Sequence, residues 1–331
     1  MTGFTLVEVL VSMTILLMMM LIITQVIGTA QQTWRQASTR LSQFREARTA
    51  FDTITRGLSQ ATLNPYRTYD YGYGGPAGIP KDALQAPVNY VRTAELGLVM
   101  GSAGSIFTGF GAGNVTPGHA VLFQAPLGYT NTPAYRPLNR LLCVRGYFVY
   151  FSNDIDYLPQ GLAGRIESKS RFRLYEYQPT TETDTVYTAN NTAKWTTVQK
   201  SVAMPDIRPV AENIVTLIMA PSFESSTSAG NVAVLGQTTP AANYAFNSYT
   251  DPNYHYHLPT SIQVVMIAMD EGSAVKLAGQ FGNSPPQLFS TTFITPATLF
   301  NDLKQAREAM LKLHINFRIF SSVVSIPAAD N

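Results

Sequence analysis

One carboxylate, Glu8, stands in an otherwise uncharged run of twenty-five residues, Gly3 to Ile27 (GFTLVEVLVSMTILLMMMLIITQVI), five positions after Gly3. An ionised side chain near the middle of a bilayer costs on the order of 2.5–3.5 kcal/mol on insertion scales, and less near an end. Glu8 therefore either lies close enough to the helix start to reach the headgroups or neutralises a cation inside a medium of low dielectric. Its chemistry is electrostatic in both cases.

Other residues of chemical type are scattered. His255 and His257 in Asn253-Tyr254-His255-Tyr256-His257 would project to one side of a strand, as a metal pair does, but only Asp251 accompanies them, and loop or strand-surface histidines are the simpler reading. Asp154 and Asp156 before Gly161 do not fall at EF-hand spacing. His119 and His314 have no Ser or Asp at a family spacing, no GxSxG occurs, and Gly109-Phe110-Gly111-Ala112-Gly113 lacks the Lys-Ser/Thr ending of a phosphate loop. Cys143, the single cysteine, sits in an apolar run and reads as a buried, inert thiol. The expectation is no enzyme, no cofactor and no metal. Charged residues are 13% and the net charge is +2, which gives no electrostatic footprint for nucleic acid.

The element that positions Glu8 is a helix. Phe4 to Ile27 contains no Pro, Lys or Arg, and about 20 apolar helical residues cross a hydrocarbon core of about 30 Å. From Gln31 to Leu63 there is again no Pro and only Gly57. Ala37, Leu41, Phe44, Ala47, Phe51, Ile54, Leu58 and Ala61 recur at three- and four-residue steps, with Arg35, Arg40, Arg45, Glu46, Arg48 and Asp52 mostly on other faces. The helix is expected to end near Asn64, because Pro65 disfavours helical geometry there. A rod of about 90 Å follows at 1.5 Å per residue. A coiled coil is the alternative for the stripe, interrupted at Arg48 and Thr55.

Beyond Pro65 the composition changes to Gly, Pro, Ser and Tyr. Residues 69–76 and 101–118 read as loops. Strands are expected at 88–91, 96–100, 120–124, 141–151, 172–177, 194–202, 214–219 and 262–269, with Asn190-Asn191 as a hairpin turn. A second helix is expected from Pro296 to about Leu313, with Thr295 as N-cap and Pro296 at N1. A closing strand from Asn316 to Val324 and a frayed tail, 326–331, complete the chain.

Gly3-Phe4-Thr5-Leu6-Val7-Glu8-Val9-Leu10 resembles the prepilin-type cleavage and methylation motif of type IV pilins and type II secretion pseudopilins. The resemblance implies scission between Gly3 and Phe4 by prepilin peptidase, methylation of the new Phe4 terminus, and an assembly role for Glu8. Cleavage there would leave the Phe4 amine at a helix N-terminus, where ammonium and macrodipole charge add. Glu8 lies one turn on, on the same face. It can neutralise its own terminus or, with a one-turn stagger, that of a neighbouring subunit. Leaders of this family usually carry Lys or Arg before the Gly, whereas Met1-Thr2-Gly3 has neither; a longer basic leader from an upstream start is the expectation this departure motivates.

The resemblance implies an α+β fold: a leader, 1–3; a transmembrane helix, 4–27; its amphipathic continuation, 28–63; and a β-rich periplasmic or extracellular head, 64–331, in a lollipop arrangement. A head of this size is more typical of minor subunits. Ala211 to Leu217 and Leu258 to Val264 resemble paired strands of large minor pseudopilins, and the whole chain resembles prepilin-like proteins of the Verru_Chthon cassette protein C type. The implied function is that of a structural minor subunit of a pilus-like or pseudopilus-like fibre. Its partners would be prepilin peptidase, other pilin-like subunits and an inner-membrane assembly platform. It would sit in the inner membrane with the head in the periplasm, then in the fibre. The alternative is a membrane-anchored binding module or enzyme that uses the motif only as a processed anchor. Tyr- and Gly-rich loops around 69–78 would suit carbohydrate or a partner protein through flat aromatic faces.

Overall fold

A computed structural model describes residues 5–72, 80, 82, 85–110, 118–135, 141–154, 161, 165, 168–184, 195–199, 206–224, 238–282, 284–288 and 293–327, with backbone alone at 35–43 and 238. The chain divides into two units, Met1–Arg45 and Glu46–Asn331.

The first unit consists of the leading part of helix α1 (Leu6–Leu58). Leu6–Trp34 is 29 residues long and apolar enough to cross a membrane, and every side chain from Thr5 to Trp34 is exposed. Its Leu- and Met-rich sequence loses little side-chain freedom in a helix, and a helix satisfies the backbone from within, as hydrocarbon surroundings demand.

In the second unit α1 becomes one-sided. Ala47, Ala50, Phe51, Ile54, Leu58 and Ala61 are buried, while Glu46, Arg48 and Arg56 are exposed. The amphipathic stripe thus holds over its described part. The helix stops at Leu58, five residues before the expected end. A turn at Ser59 and Gln60 redirects the chain so that Thr62 N–H donates to Gln124 O at 2.9 Å, and the Asn64 side chain accepts from Glu95 N–H (3.1 Å) and Leu96 N–H (2.8 Å). Long-range pairing stops the helix before Pro65 has to.

The head is built from β1 (Pro65–Asp70), β2 (Asn89–Ala94), β3 (Leu98–Ser102), α2 (Ala103–Ile106), β4 (Phe107–Thr108), β5 (His119–Ala125), β6 (Cys143–Asn153) and β7 (Ser170–Tyr177). It continues through β8 (Val198–Gln199), β9 (Ile207–Glu212), β10 (Ile214–Glu224), β11 (Thr238–Pro240), β12 (Phe246–Asn247), β13 (Ser261–Met269), α3 (Glu271–Phe281), α4 (Leu299–Lys312) and β14 (Phe317–Ser325). A six-stranded sheet has the order β12-β3-β5-β6-β7-β9 and a four-stranded sheet the order β11-β10-β13-β14. β1 and β2 form a separate antiparallel ribbon, and β4 pairs with β8 in parallel. An apolar helix followed by a β-rich head is the α+β class the sequence implied.

β6 explains why the six-stranded sheet has no wet face at its centre. Its two side-chain rows both meet apolar partners, so six of its eleven residues are buried. One row reaches a core containing Ile106, Phe107, Phe110, Leu122, Phe148 and Tyr175, with Phe107 and Phe148 stacked at 3.9 Å. Gly146 permits this: a Cβ there would lie 2.4 Å from Leu122 Cδ2 and 3.1 Å from Val121 O. β10 lies against β5, β6 and β7 and pairs with β13, Ile214 opposite Ala268 and Ser222 opposite Ser261.

Several expectations change. Residues 101–110, read as loop, carry the end of β3, α2 and β4, because Ile106, Phe107 and Phe110 are core residues. Pro65 opens β1 instead of a loop, which the first position of an edge strand tolerates. Pro296–Thr298 form a 3-10 turn before α4 starts at Leu299, and Thr295 makes no side-chain cap. Helix α3 was not expected from a sequence with two glycines; Asp270 caps it by accepting from Ser273 N–H at 2.9 Å. Ile326, assigned to a frayed tail, is buried and donates its N–H to Thr260 O at 3.1 Å. Gly3, Phe4, Asp156, Asn190, Asn191 and residues 200–202 lie outside the described residues.

Candidate functional site

The start of α1 forms a reciprocal cap. Glu8 Oε2 accepts from Thr5 N–H at 3.1 Å and from the Thr5 hydroxyl at 3.0 Å, while Glu8 N–H donates to Thr5 Oγ1 at 3.4 Å. This is a capping box, Thr-x-x-Glu directly before an apolar run. That signature is present in the sequence and was missed there, although Glu8 itself was singled out. The carboxylate points at the helix N-terminus, where the macrodipole favours negative charge.

The hydroxyls of the apolar segment are satisfied within the helix. Ser12 donates to Glu8 O (2.7 Å), Thr14 to Val11 O (2.7 Å), Thr24 to Met20 O (2.8 Å), Thr29 to Gln25 O (2.9 Å) and Thr33 to Thr29 O (2.9 Å). Back-bonding of this kind leaves no hydroxyl to be solvated by hydrocarbon. Apart from Gln25, Gln31 and Gln32 toward its far end, the segment thus presents apolar side chains, with one carboxylate turned to its start.

Within the second unit, the last turns of α1 are held by the sheets. Phe51 packs on Phe320 of β14 with ring centroids 5.9 Å apart. Glu46 accepts from Glu212 N–H of β9 at 3.2 Å. Gly57 brings the helix backbone against β6, since a Cβ there would lie 3.3 Å from the Tyr147 hydroxyl and 3.5 Å from Phe123 Cζ. Behind that contact, buried Glu176 on β7 accepts from Tyr147 Oη (2.9 Å), Arg145 Nη1 (2.8 Å) and Arg208 Nη2 (2.8 Å). Burial first, then the neighbouring carboxylate, pushes the Tyr147 phenol above its usual range. This network is a structural brace: both oxygens of its acceptor are engaged.

The remaining candidates separate. His255 and His257 lie in a turn, not a strand, with His257 Nδ1 2.7 Å from His255 O. No group of three or more His, Cys, Asp or Glu among the described residues could hold a metal ion. His119 is buried in β5, where Nδ1 accepts from Met219 N–H at 3.2 Å and the ring packs on Tyr244 at 4.5 Å. Burial holds its imidazole down at about 4. Cys143 is buried and free, and burial pushes its thiol up to about 11, which suppresses the nucleophilic thiolate. Asp154 accepts from Lys169 N–H at 2.8 Å.

No family model matches the chain, and no curated protein matches it. Among solved structures it is similar to a type IV-like pilin from Thermus thermophilus, at 10% identity and a TM-score of 0.32, over 88% of this chain and 97% of that one.

Proposed function

We propose that this chain is a structural minor subunit of a type IV pilus-like or type II secretion pseudopilus-like fibre. Prepilin peptidase cuts it between Gly3 and Phe4 and methylates Phe4, and the N-terminal helix then joins it to other pilin-like subunits at an inner-membrane platform. The head faces the periplasm and acts at the tip, in initiation or in cargo contact. The observation that carries this reading is the segment Leu6–Trp34, exposed along its whole length, with Glu8 turned to its N-terminus. A helix apolar all round is stable only in lipid or among other apolar helices. A lone anchor needs the apolar run but not a carboxylate at its start; a helix that docks beside another amine terminus uses both. The role is structural, not enzymatic. The large head and the whole-chain resemblance support a subunit of the Verru_Chthon cassette protein C type.

The mass of the mature N-terminus tests this, measured in membrane and sheared surface fractions with and without prepilin peptidase. A chain beginning at N-methyl-Phe4, present in sheared fractions only with the peptidase, is expected. An intact or differently cut terminus overturns the reading in favour of a membrane-anchored module.

A further inference from the structure

We propose that Trp34 anchors α1 in the interfacial layer on one side of the bilayer while Glu8 lies in the headgroup layer on the other, a placement that rests on reading Leu6–Trp34 as membrane-spanning. The two residues then fix the depth of the helix between them. Trp34 closes the apolar segment and is 77% exposed. No aromatic and no charged residue occurs between Glu8 and Trp34, and Arg35 follows directly. Residues 9–28 make about 30 Å of helix, the thickness of the hydrocarbon core. In that stretch only Ser12, Thr14, Thr24 and Gln25 are polar, and the three hydroxyls donate to helix carbonyls. Thr29, Gln31, Gln32 and Thr33 come next, a composition suited to the polar layer beyond.

From Glu8 to Trp34 the axis measures about 39 Å, against about 40–45 Å for the core with both headgroup layers. Helical side chains lean toward the N-terminus, which carries an indole at the far end back over the turn before it and into the interface. Indole suits that layer because it joins a large apolar body to one N–H donor. In hydrocarbon the N–H is left without an acceptor, and in water the apolar body is uncovered. Sliding toward the Trp34 side would draw Glu8 into hydrocarbon, where a carboxylate costs most at the centre, and lift the ring into water. Sliding the other way would bury Gln31, Gln32 and the indole N–H. Both directions cost free energy. The setting also accounts for how Glu8 is tolerated before any partner helix arrives.

The full chain is reconstituted into phosphatidylcholine vesicles whose acyl chains carry bromine either near the carbonyl end or near the methyl end, and tryptophan fluorescence is compared with that in unbrominated vesicles. Trp195, 4% exposed in the second unit and donating to Tyr249 Oη at 3.2 Å, contributes a background that the Trp34→Phe variant measures. Trp34 is exposed, so this variant leaves the head intact. Quenching of the Trp34 signal is expected to be about twofold or more stronger from the shallow bromines than from the deep ones. Met18→Trp, introduced into the Trp34→Phe chain, is expected to reverse that order. Resistance to alkaline extraction reports insertion separately. A chain that is extracted, or a Met18→Trp signal quenched from the shallow position, overturns the membrane-spanning reading and the anchoring role with it. An inserted chain whose Trp34 is quenched no more by the shallow bromines than by the deep ones overturns the anchoring role alone.

Discussion

Glu8 closes the first turn of α1 onto Thr5, accepting from its N–H at 3.1 Å and its hydroxyl at 3.0 Å. The carboxylate is thereby aimed at the helix start, where both the chain's own terminus and a staggered neighbour's would arrive. The cap is observed, and the ion pair proposed for assembly is a separable use of the same side chain.

Glu8→Gln separates them, because glutamine also serves at the third position of a capping box but carries no charge. Incorporation of this variant into sheared surface fibres is expected to fall about tenfold or more, as loss of a charge-assisted contact implies. Thr5→Ala removes the cap instead, at about 1 kcal/mol of local helix stability, and is expected to leave incorporation within about twofold. Membrane insertion should be unchanged in both. Wild-type incorporation of Glu8→Gln would sink the charge-pairing role.

Gly57 lets α1 lie against Tyr147, and the room is small: a Cβ would meet the Tyr147 hydroxyl at 3.3 Å. Gly57→Ala gains up to about 1 kcal/mol of helix propensity against that tight contact and should be close to neutral. Gly57→Leu also drives into Phe123 and is expected to cost about 1–3 kcal/mol. Thermal melts of the full chain in detergent would show the ordering; equal melting temperatures for Leu and Gly would mean that the helix does not press on β6 here.

Glu176 is buried and accepts from Arg145, Tyr147 and Arg208. Removing it in Glu176→Ala leaves Arg145 without its carboxylate, and a broken buried pair typically costs about 3–5 kcal/mol. Tyr147→Phe deletes one hydrogen bond from the same carboxylate and should cost about 1 kcal/mol. Urea denaturation distinguishes these; a Glu176→Ala loss no larger than that of Tyr147→Phe would show that the network does not brace the sheet.

His119 gives the head a defined acid sensitivity. Its imidazole is held at about 4 by burial, below the ordinary value of about 6.5, so the unfolded chain binds the proton more readily than the folded one. Stability is at its plateau above pH about 6.5, falls as pH drops through the window to about 4, and loses no more from this group below that. The loss amounts to about 3 kcal/mol. His119→Asn offers an oxygen to Met219 N–H without a titrating ring. It should flatten the dependence of the urea midpoint between pH 7 and pH 4.5, and an unchanged slope would place the acid sensitivity elsewhere.

What the sequence settled by itself were the features of short range. The apolar run to Ile27, the stripe through Phe51, Ile54 and Leu58, and long strands read at 141–151 and 262–269 and found at Cys143–Asn153 and Ser261–Met269 follow from local composition and period. The Thr5–Glu8 cap is equally local, a pattern within four consecutive residues, although the sequence reading passed over it. Tertiary structure decided the rest. Helix α1 ends at Leu58 because Thr62 and Asn64 find partners on β5 and before β3. Gly-rich 101–110 is ordered because its three large apolar side chains enter a core supplied by β5, β6 and β7. Glu176 and Arg208 meet Tyr147 only through strand register, and so do Arg67 and Tyr90 across the ribbon. Residues far apart in the chain share no local period. Their meeting is fixed by which strands pair and in what register, and that is an outcome of burying the whole core at once.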